Sequence, residues 1–197
     1  MEMSSRYEIR FSGSGGQGII TAAVVMADAV GAYDGKYVCQ TQSYGPEARG
    51  GKSKAELVIS NSIIDYPKAI EVDLLLAMTQ AACDAYFFEL KTDGLLVVDS
   101  TLVDQLPTSR SVAIPFTQIA RKQIGREIVA NMVALGAVGY LSGQVNIENL
   151  EKALLSRVPK GTENMNRDAL QAGIEEARKV DMSLLPKFVL GDWENEV

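Results

Sequence analysis

The stretch Gly13-Ser14-Gly15-Gly16-Gln17-Gly18 constrains the chain more than any other. Ahead of it, Tyr7, Ile9 and Phe11 alternate with Glu8 and Arg10, the pattern of a strand with one face buried. Behind it, Ile19, Ile20, Ala23, Val24, Ala27 and Val30 form an apolar stripe at helical spacing. The glycines therefore fall where a strand turns into a helix. Glycine adopts positive φ without a Cβ penalty and leaves backbone N–H groups open to a ligand. A helix that starts there points its unpaired N–H groups and the positive end of its dipole at the same spot. The product is an anion site, most often for phosphate, with Gly13, Gly15, Gly16, Gln17 and Gly18 as its candidate residues. The plain alternative is a tight turn that only packs helix against sheet.

The spacing also fits the G-x-G-x-x-G fingerprint of dinucleotide sites, a weak signal by itself. That fingerprint requires an acidic residue at the end of the second strand to hold the ribose. The second strand is expected at residues 37–42 and ends in amides and a hydroxyl, while Asp28 falls inside the first helix and Asp34 in the turn after it. A free-standing NAD- or FAD-binding oxidoreductase therefore lacks half its signature; a phosphate or nucleotide module without enzyme partners keeps all of its own. Composition narrows the choice further. A net charge of −6 argues against nucleic acid as a partner. No apolar run is long enough for a membrane span, and residues 1–6 lack the basic-then-apolar pattern of a secretory leader, so a cytoplasmic protein is expected. Cys39 and Cys83 cannot supply the four thiolates of an iron–sulfur cluster or a structural zinc site, and they read as small buried apolar residues. No metal site is expected. The absence of histidine removes the commonest general base, so catalysis by this chain alone would rest on carboxylates, lysine or tyrosine.

Further along, Ser43-Tyr44-Gly45-Pro46-Glu47-Ala48-Arg49-Gly50-Gly51 reads as irregular backbone after the second strand. In a parallel sheet it lies at the same edge as the glycine turn, where ligands of open α/β sheets bind. Tyr44, Glu47 and Arg49 are thus candidates for a shared site; the alternative is a solvated surface loop. Residues 52–64 read as a hairpin, with Ile63-Ile64 as the return strand. Residues 73–78 and 95–98 look like strands buried on both faces, the first followed by a helix over 80–90 that Thr79 caps and Asp93-Gly94 closes. Asp99 and Ser100 end at a carboxyl edge, and residues 111–114 form the last strand. The whole predicts one α/β domain over 1–197, an open, mostly parallel, Rossmann-like sheet flanked by helices, with a small hairpin and a helical C-terminal part. Residues 128–140 have no polar face and are expected to be buried all round, either as a central core helix or against a second subunit, a homodimer in isolation. Asn131 is the one strongly polar side chain there and wants partners. Residues 148–156 and 164–180 read as amphipathic helices, and the tail with Trp193 as a segment that packs on a neighbour or frays.

Three segments together carry a family resemblance: the glycine turn, Tyr44-Gly45-Pro46-Glu47-Ala48-Arg49-Gly50-Gly51, and Asn131-Met132 followed by Leu135-Gly136. Over most of residues 6–180 the chain resembles the gamma subunit, or gamma domain, of the 2-oxoacid:ferredoxin oxidoreductases, most of all the 2-oxoglutarate type, with pyruvate, branched-chain 2-oxoacid and indolepyruvate types open. The resemblance implies an enzyme that oxidatively decarboxylates a 2-oxoacid, makes an acyl-CoA and passes two electrons to ferredoxin. It implies thiamine diphosphate and iron–sulfur clusters in alpha and beta partner subunits, with a delta subunit where one is present, no cofactor held by this chain alone, and coenzyme A as co-substrate. It assigns the glycine turn and the Arg49 loop a part in enclosing coenzyme A. The sequence agrees with that division of labour: it has too few cysteines for clusters, and Gly191-Asp192-Trp193 is not the thiamine-diphosphate pattern. On this reading the isolated chain is inactive.

Overall fold

The computed structural model describes residues 6–44, Tyr44 by its backbone alone, and 52–188. Strand β1 (Tyr7–Ser14) leads through the glycine turn into helix α1 (Ile19–Asp28), which runs on into a π-helical turn, Ala29–Tyr33. Strands β2 (Tyr37–Tyr44) and β3 (Lys52–Ser60) pair antiparallel, and β3 also pairs antiparallel with β1. After them come β4 (Val72–Ala77), α2 (Gln80–Tyr86), β5 (Leu90–Asp99) and β6 (Ser111–Ile114). Helices α3 (Phe116–Ile119), α4 (Ala130–Ser142), α5 (Ile147–Arg157) and α6 (Glu163–Arg178) follow. The sheet order is β2-β3-β1-β4-β5-β6, with β1, β4, β5 and β6 mutually parallel and β3 running against its neighbours. The expected α/β class and the helical C-terminal part are both observed.

The hairpin is not where the sequence put it. Residues 52–60 form one strand, and Ile63 and Ile64 add none. Both edges of β3 are already taken, by β1 and β2, so a return strand has nothing to pair with. The antiparallel partner is β2, and the connection between them, residues 45–51, lies outside the described residues. The helix after Thr79 is also shorter than expected. Thr79 does cap it, accepting from the Ala82 N–H, but the helix ends at Tyr86, and Leu90 already belongs to β5. Asp93 and Gly94 lie within that strand, where pairing with β4 slips between Val72 and Leu74; a bulge absorbs the surplus residues.

One sheet face presents Ile9, Phe11, Leu57, Leu74, Leu76 and Val97 to a core shared with α1, α4, α5 and α6. The other packs Leu75, Leu96 and Val98 against Cys83 of α2 and Phe87 just after it. β1 is buried on both faces, not one: Glu8 is 3% and Arg10 0% exposed. Its charged residues do not face water because they are paired. Arg10 donates from Nε to Glu56 at 2.9 Å and from Nη2 to Glu89 at 2.6 Å, beneath the Tyr86 ring. Glu8 accepts from the Ile70 and Glu71 N–H groups and from Arg6. Burial pushes the Glu56 carboxyl up, but the Lys54 hydrogen bond and the Arg10 charge outweigh it and hold the carboxyl below its usual range. Removing one partner of such a buried pair costs about 3–5 kcal/mol, because the other charge is then stranded.

Helix α4 is the central core helix of this chain. Its residues from Ala130 to Gly139 are all buried by neighbours within the chain, α6 chief among them. The crossing is close enough that a Cβ on Gly136 would strike the Leu170 carbonyl, and one on Gly173 the Val133 carbonyl. Its burial therefore needs no second subunit. Among the described residues no helix is long and apolar enough to cross a membrane.

Candidate functional site

The glycine turn sits at the sheet edge where β1 ends. The Gln17 N–H donates back to the Ser14 carbonyl at 3.2 Å, and the Gln17 side chain returns to accept the Ser14 N–H at 2.7 Å. The Gln17 N–H is thus used inside the turn. The N–H groups of Gly15, Gly16 and Gly18 have no acceptor among the described residues. Gly16 and Gly18 hold φ of 94° and 72°, and Gly18, in the left-handed region, serves as the N-cap of α1 with no side-chain cap. The first-turn N–H groups of α1 consequently join the free donors. Asn131 of α4 reaches across and donates from Nδ2 to the Gly18 carbonyl at 3.0 Å, which fixes the orientation of the turn. Asn131 is 6% exposed, and its Oδ1 is buried without a partner among the described residues.

Around this turn lies a cleft of about 270 Å³, lined by Gly16, Gln17, Met78, Thr117, Glu127, Ile128 and Ala130. Met78 follows β4 directly and donates its N–H to the Ser12 carbonyl, so it is fixed to the sheet beside β1. Thr117 is held by Asp99 at the end of β5, whose Oδ2 accepts both the Thr117 N–H at 3.1 Å and its hydroxyl at 2.5 Å. Asp99 is fully buried and spends its charge on shaping α3 and the wall of the cleft. Glu127 pairs with Arg121 Nε at 2.7 Å; that hydrogen bond holds the Glu127 carboxyl below its usual range. Ile128, 77% exposed, is the apolar lip.

Of the other sequence candidates, Gly13 lies within the sheet, paired across from Ser53 rather than facing the cleft. Tyr44 ends β2 and is also paired across from Ser53, so the loop after it leaves from the same edge as the glycine turn. Glu47 and Arg49 lie outside the described residues, as does the Tyr44 side chain. The sequence reading missed Met78, Thr117, Glu127, Ile128 and Ala130. Met78 follows β4 and Thr117 lies just past β6, at the edge where ligands of such sheets bind; Glu127, Ile128 and Ala130 come from the approach to α4 and its first residue, which follow no strand and carry no such signal. The missing acidic residue of the dinucleotide fingerprint also has a structural counterpart. β3 stands between β1 and β2, so the end of β2 is not the neighbour of the glycine turn that such a site needs.

Residues 8–176 carry the sequence pattern of the pyruvate ferredoxin/flavodoxin oxidoreductase family. The chain belongs to this family. It is 49% identical over 179 residues to the 2-oxoglutarate synthase subunit KorC of Methanocaldococcus jannaschii, covering 89% of this chain and 96% of that one. To the pyruvate synthase subunit PorC of Methanothermobacter thermautotrophicus it is 32% identical over 180 residues, 90% and 99% of the two chains. The gamma subunit of a keto/oxoacid ferredoxin oxidoreductase from Geobacter sulfurreducens matches it with a TM-score of 0.80 and 52% identity, over 88% of this chain and 99% of that one. The gamma-type resemblance read from the sequence holds.

The donor set of the chain does not fit a cluster. Cys39 and Cys83 are both free; Cys83 is buried on α2, where burial and the charge of Asp84 push its thiol up to about 11, and Cys39 is half-buried on β2. Among the described residues no three His, Cys, Asp or Glu side chains gather to hold a metal ion. What the cleft offers is backbone donors, a hydroxyl, an ion pair and an apolar lip, a set suited to binding an anion with an apolar or polar arm.

Proposed function

We propose that the chain is the gamma-type subunit of a 2-oxoglutarate:ferredoxin oxidoreductase, and that its glycine turn and cleft hold part of coenzyme A. The choice of oxoacid rests on the identity to the 2-oxoglutarate synthase subunit, 49% against 32% for the pyruvate synthase subunit, over nearly the whole of each. The coenzyme A reading rests on one observation: N–H groups of Gly15, Gly16 and Gly18 that have no acceptor among the described residues, beside a cleft of matching character. Those donors would take phosphate oxygens at the helix start, and Met78, Ile128 and Ala130 would cover the less polar arm. Tyr44, Glu47 and Arg49 belong to the same proposal, with the Arg49 guanidinium as a further phosphate donor. Thiamine diphosphate in the alpha or beta partner supplies the electron sink for decarboxylation, and clusters in the partners, a delta subunit among them where present, carry electrons to ferredoxin. The role of this chain is to bind and orient, within a single domain in the cytoplasm.

The test is reconstitution. The chain is expected to co-purify with larger subunits as a brown complex. A complex stripped of it should reduce a viologen dye with 2-oxoglutarate and coenzyme A only after it is added back. Steady dye reduction by this chain alone would overturn the reading. In the assembled enzyme, Gly16→Val is expected to raise the KM for coenzyme A while leaving that for 2-oxoglutarate near its starting value.

A further inference from the structure

Glu127 brings a carboxylate to the wall of the anion cleft. A negative charge beside free N–H donors opposes a phosphate unless something masks it. Arg121 is the mask, and both side chains are about half exposed. An exposed pair of this kind is held weakly and rearranges at little cost. Only Nε of Arg121 is engaged; its two terminal amino groups have no partner among the described residues. Lys122 and Arg126, close to Arg121 and Glu127 in sequence, form no ion pair among the described residues. The turn behind the cleft is unfinished as well. Nδ2 of Asn131 must face the Gly18 carbonyl, which fixes the amide orientation and leaves the buried Oδ1 without a donor among the described residues.

We infer that Arg121 and Glu127 form a counter-ion switch: Arg121 turns from Glu127 to a phosphate group of the incoming coenzyme A, and the freed Glu127 charge limits how tightly that phosphate is held. The inference rests on the coenzyme A reading of the cleft. A guanidinium matches a phosphate through two parallel N–H donors, a stronger arrangement than its single bond to Glu127. Glu127 then acts in two ways against the ligand. It competes for Arg121 before binding and repels the phosphate after it.

The signature is a pair of opposite effects, measured by calorimetry of coenzyme A binding to the assembled complex and by the KM values for coenzyme A and 2-oxoglutarate. Arg121→Ala removes the cation and unmasks Glu127, so the coenzyme A Kd is expected to rise about tenfold or more. Glu127→Gln should lower it several-fold, and the double variant should recover most of the loss. The KM for 2-oxoglutarate and the melting temperature should stay put in all three. If the pair only ties the connection together, both single variants weaken binding or neither changes it, and the switch is overturned. Gly16→Val separates the two readings. Binding weakened by Gly16→Val but untouched by Arg121→Ala and Glu127→Gln removes the switch and keeps the cleft; binding untouched by Gly16→Val removes the cleft reading itself.

Discussion

The glycine turn and the α4–α6 crossing both depend on pairs of glycines, and the two pairs solve different problems. At the turn, Gly16 and Gly18 are needed for their backbone angles, φ of 94° and 72°. A Cβ on Gly16 would meet nothing within contact distance, and one on Gly18 would meet only the Asn131 amide. At the crossing, Gly136 and Gly173 sit inside helices and are needed for space, since each lies against a backbone carbonyl of the other helix. The turn is a local conformational demand that a neighbouring side chain can accommodate. The crossing is a collision between two backbones, and neither can yield without moving a helix. Helix α4 connects the two: Asn131 near its start holds the Gly18 carbonyl, and Gly136 farther along seats it on α6. The position of the cleft is therefore set partly by how closely α4 and α6 approach.

The comparison breaks most visibly at the crossing. Gly173→Ala or Gly136→Ala is expected to cost about 3 kcal/mol by overpacking. For a chain of this size that lowers Tm by roughly 6–12 °C, measured by thermal unfolding followed by circular dichroism. Because α4 must move to make room, coenzyme A binding in the surviving folded complex should weaken too. An unchanged melt would show that the helices are not in backbone contact.

Substitution at Gly18 should do less to stability and act nearer the ligand. The left-handed conformation costs an alanine about 1–2 kcal/mol, and its Cβ pushes on Asn131. Asn131→Ala alone loses one hydrogen bond, about 1 kcal/mol, and also removes the orphaned Oδ1. Combining Gly18→Ala with Asn131→Ala removes the clash, so the double variant is expected to be more stable than the sum of the two losses predicts. Strict additivity in chemical denaturation would mean that Asn131 does not touch the turn.

The same contrast explains what was legible in the sequence. A conformational demand announces itself: glycines clustered between an alternating strand and a helical stripe point to a turn, and that reading stands. A spatial demand does not, because Gly136 and Gly173 each look like an ordinary small residue in an apolar helix until their partner is known. The strand pattern of β1 misled for a related reason. Alternating Glu8 and Arg10 is the mark of a wet face unless distant residues, here Glu56, Glu89, Ile70 and Glu71, arrive to pair with them. The hairpin over 52–64 was misplaced because an apolar Ile63-Ile64 after a strand does not reveal that both edges of β3 are occupied. In the cleft, the glycine backbone was visible from spacing, but Thr117, Glu127 and Ile128 come from segments joined to it only by the sheet order.

The smallest effect is expected for Gly16→Asn, and the Gly16 series sharpens the distinction between strain and space. With no atom near the added Cβ, Gly16→Ala meets no collision, and only the positive φ is penalised. Asparagine visits that region more readily than other residues with a Cβ, and β-branched residues least of all. Stability should therefore fall in the order Gly16→Asn, Gly16→Ala, Gly16→Val, from a few tenths of a kcal/mol to about 2 kcal/mol. The KM for coenzyme A should follow the same order if the free N–H groups of the turn hold the ligand, because a turn that relaxes toward negative φ swings those groups away. Substitution by size would give a different order. Asparagine is larger than alanine and would then be the worse of the two, so the ranking of just those two variants in a coenzyme A titration decides whether the turn works through backbone angle or through open space.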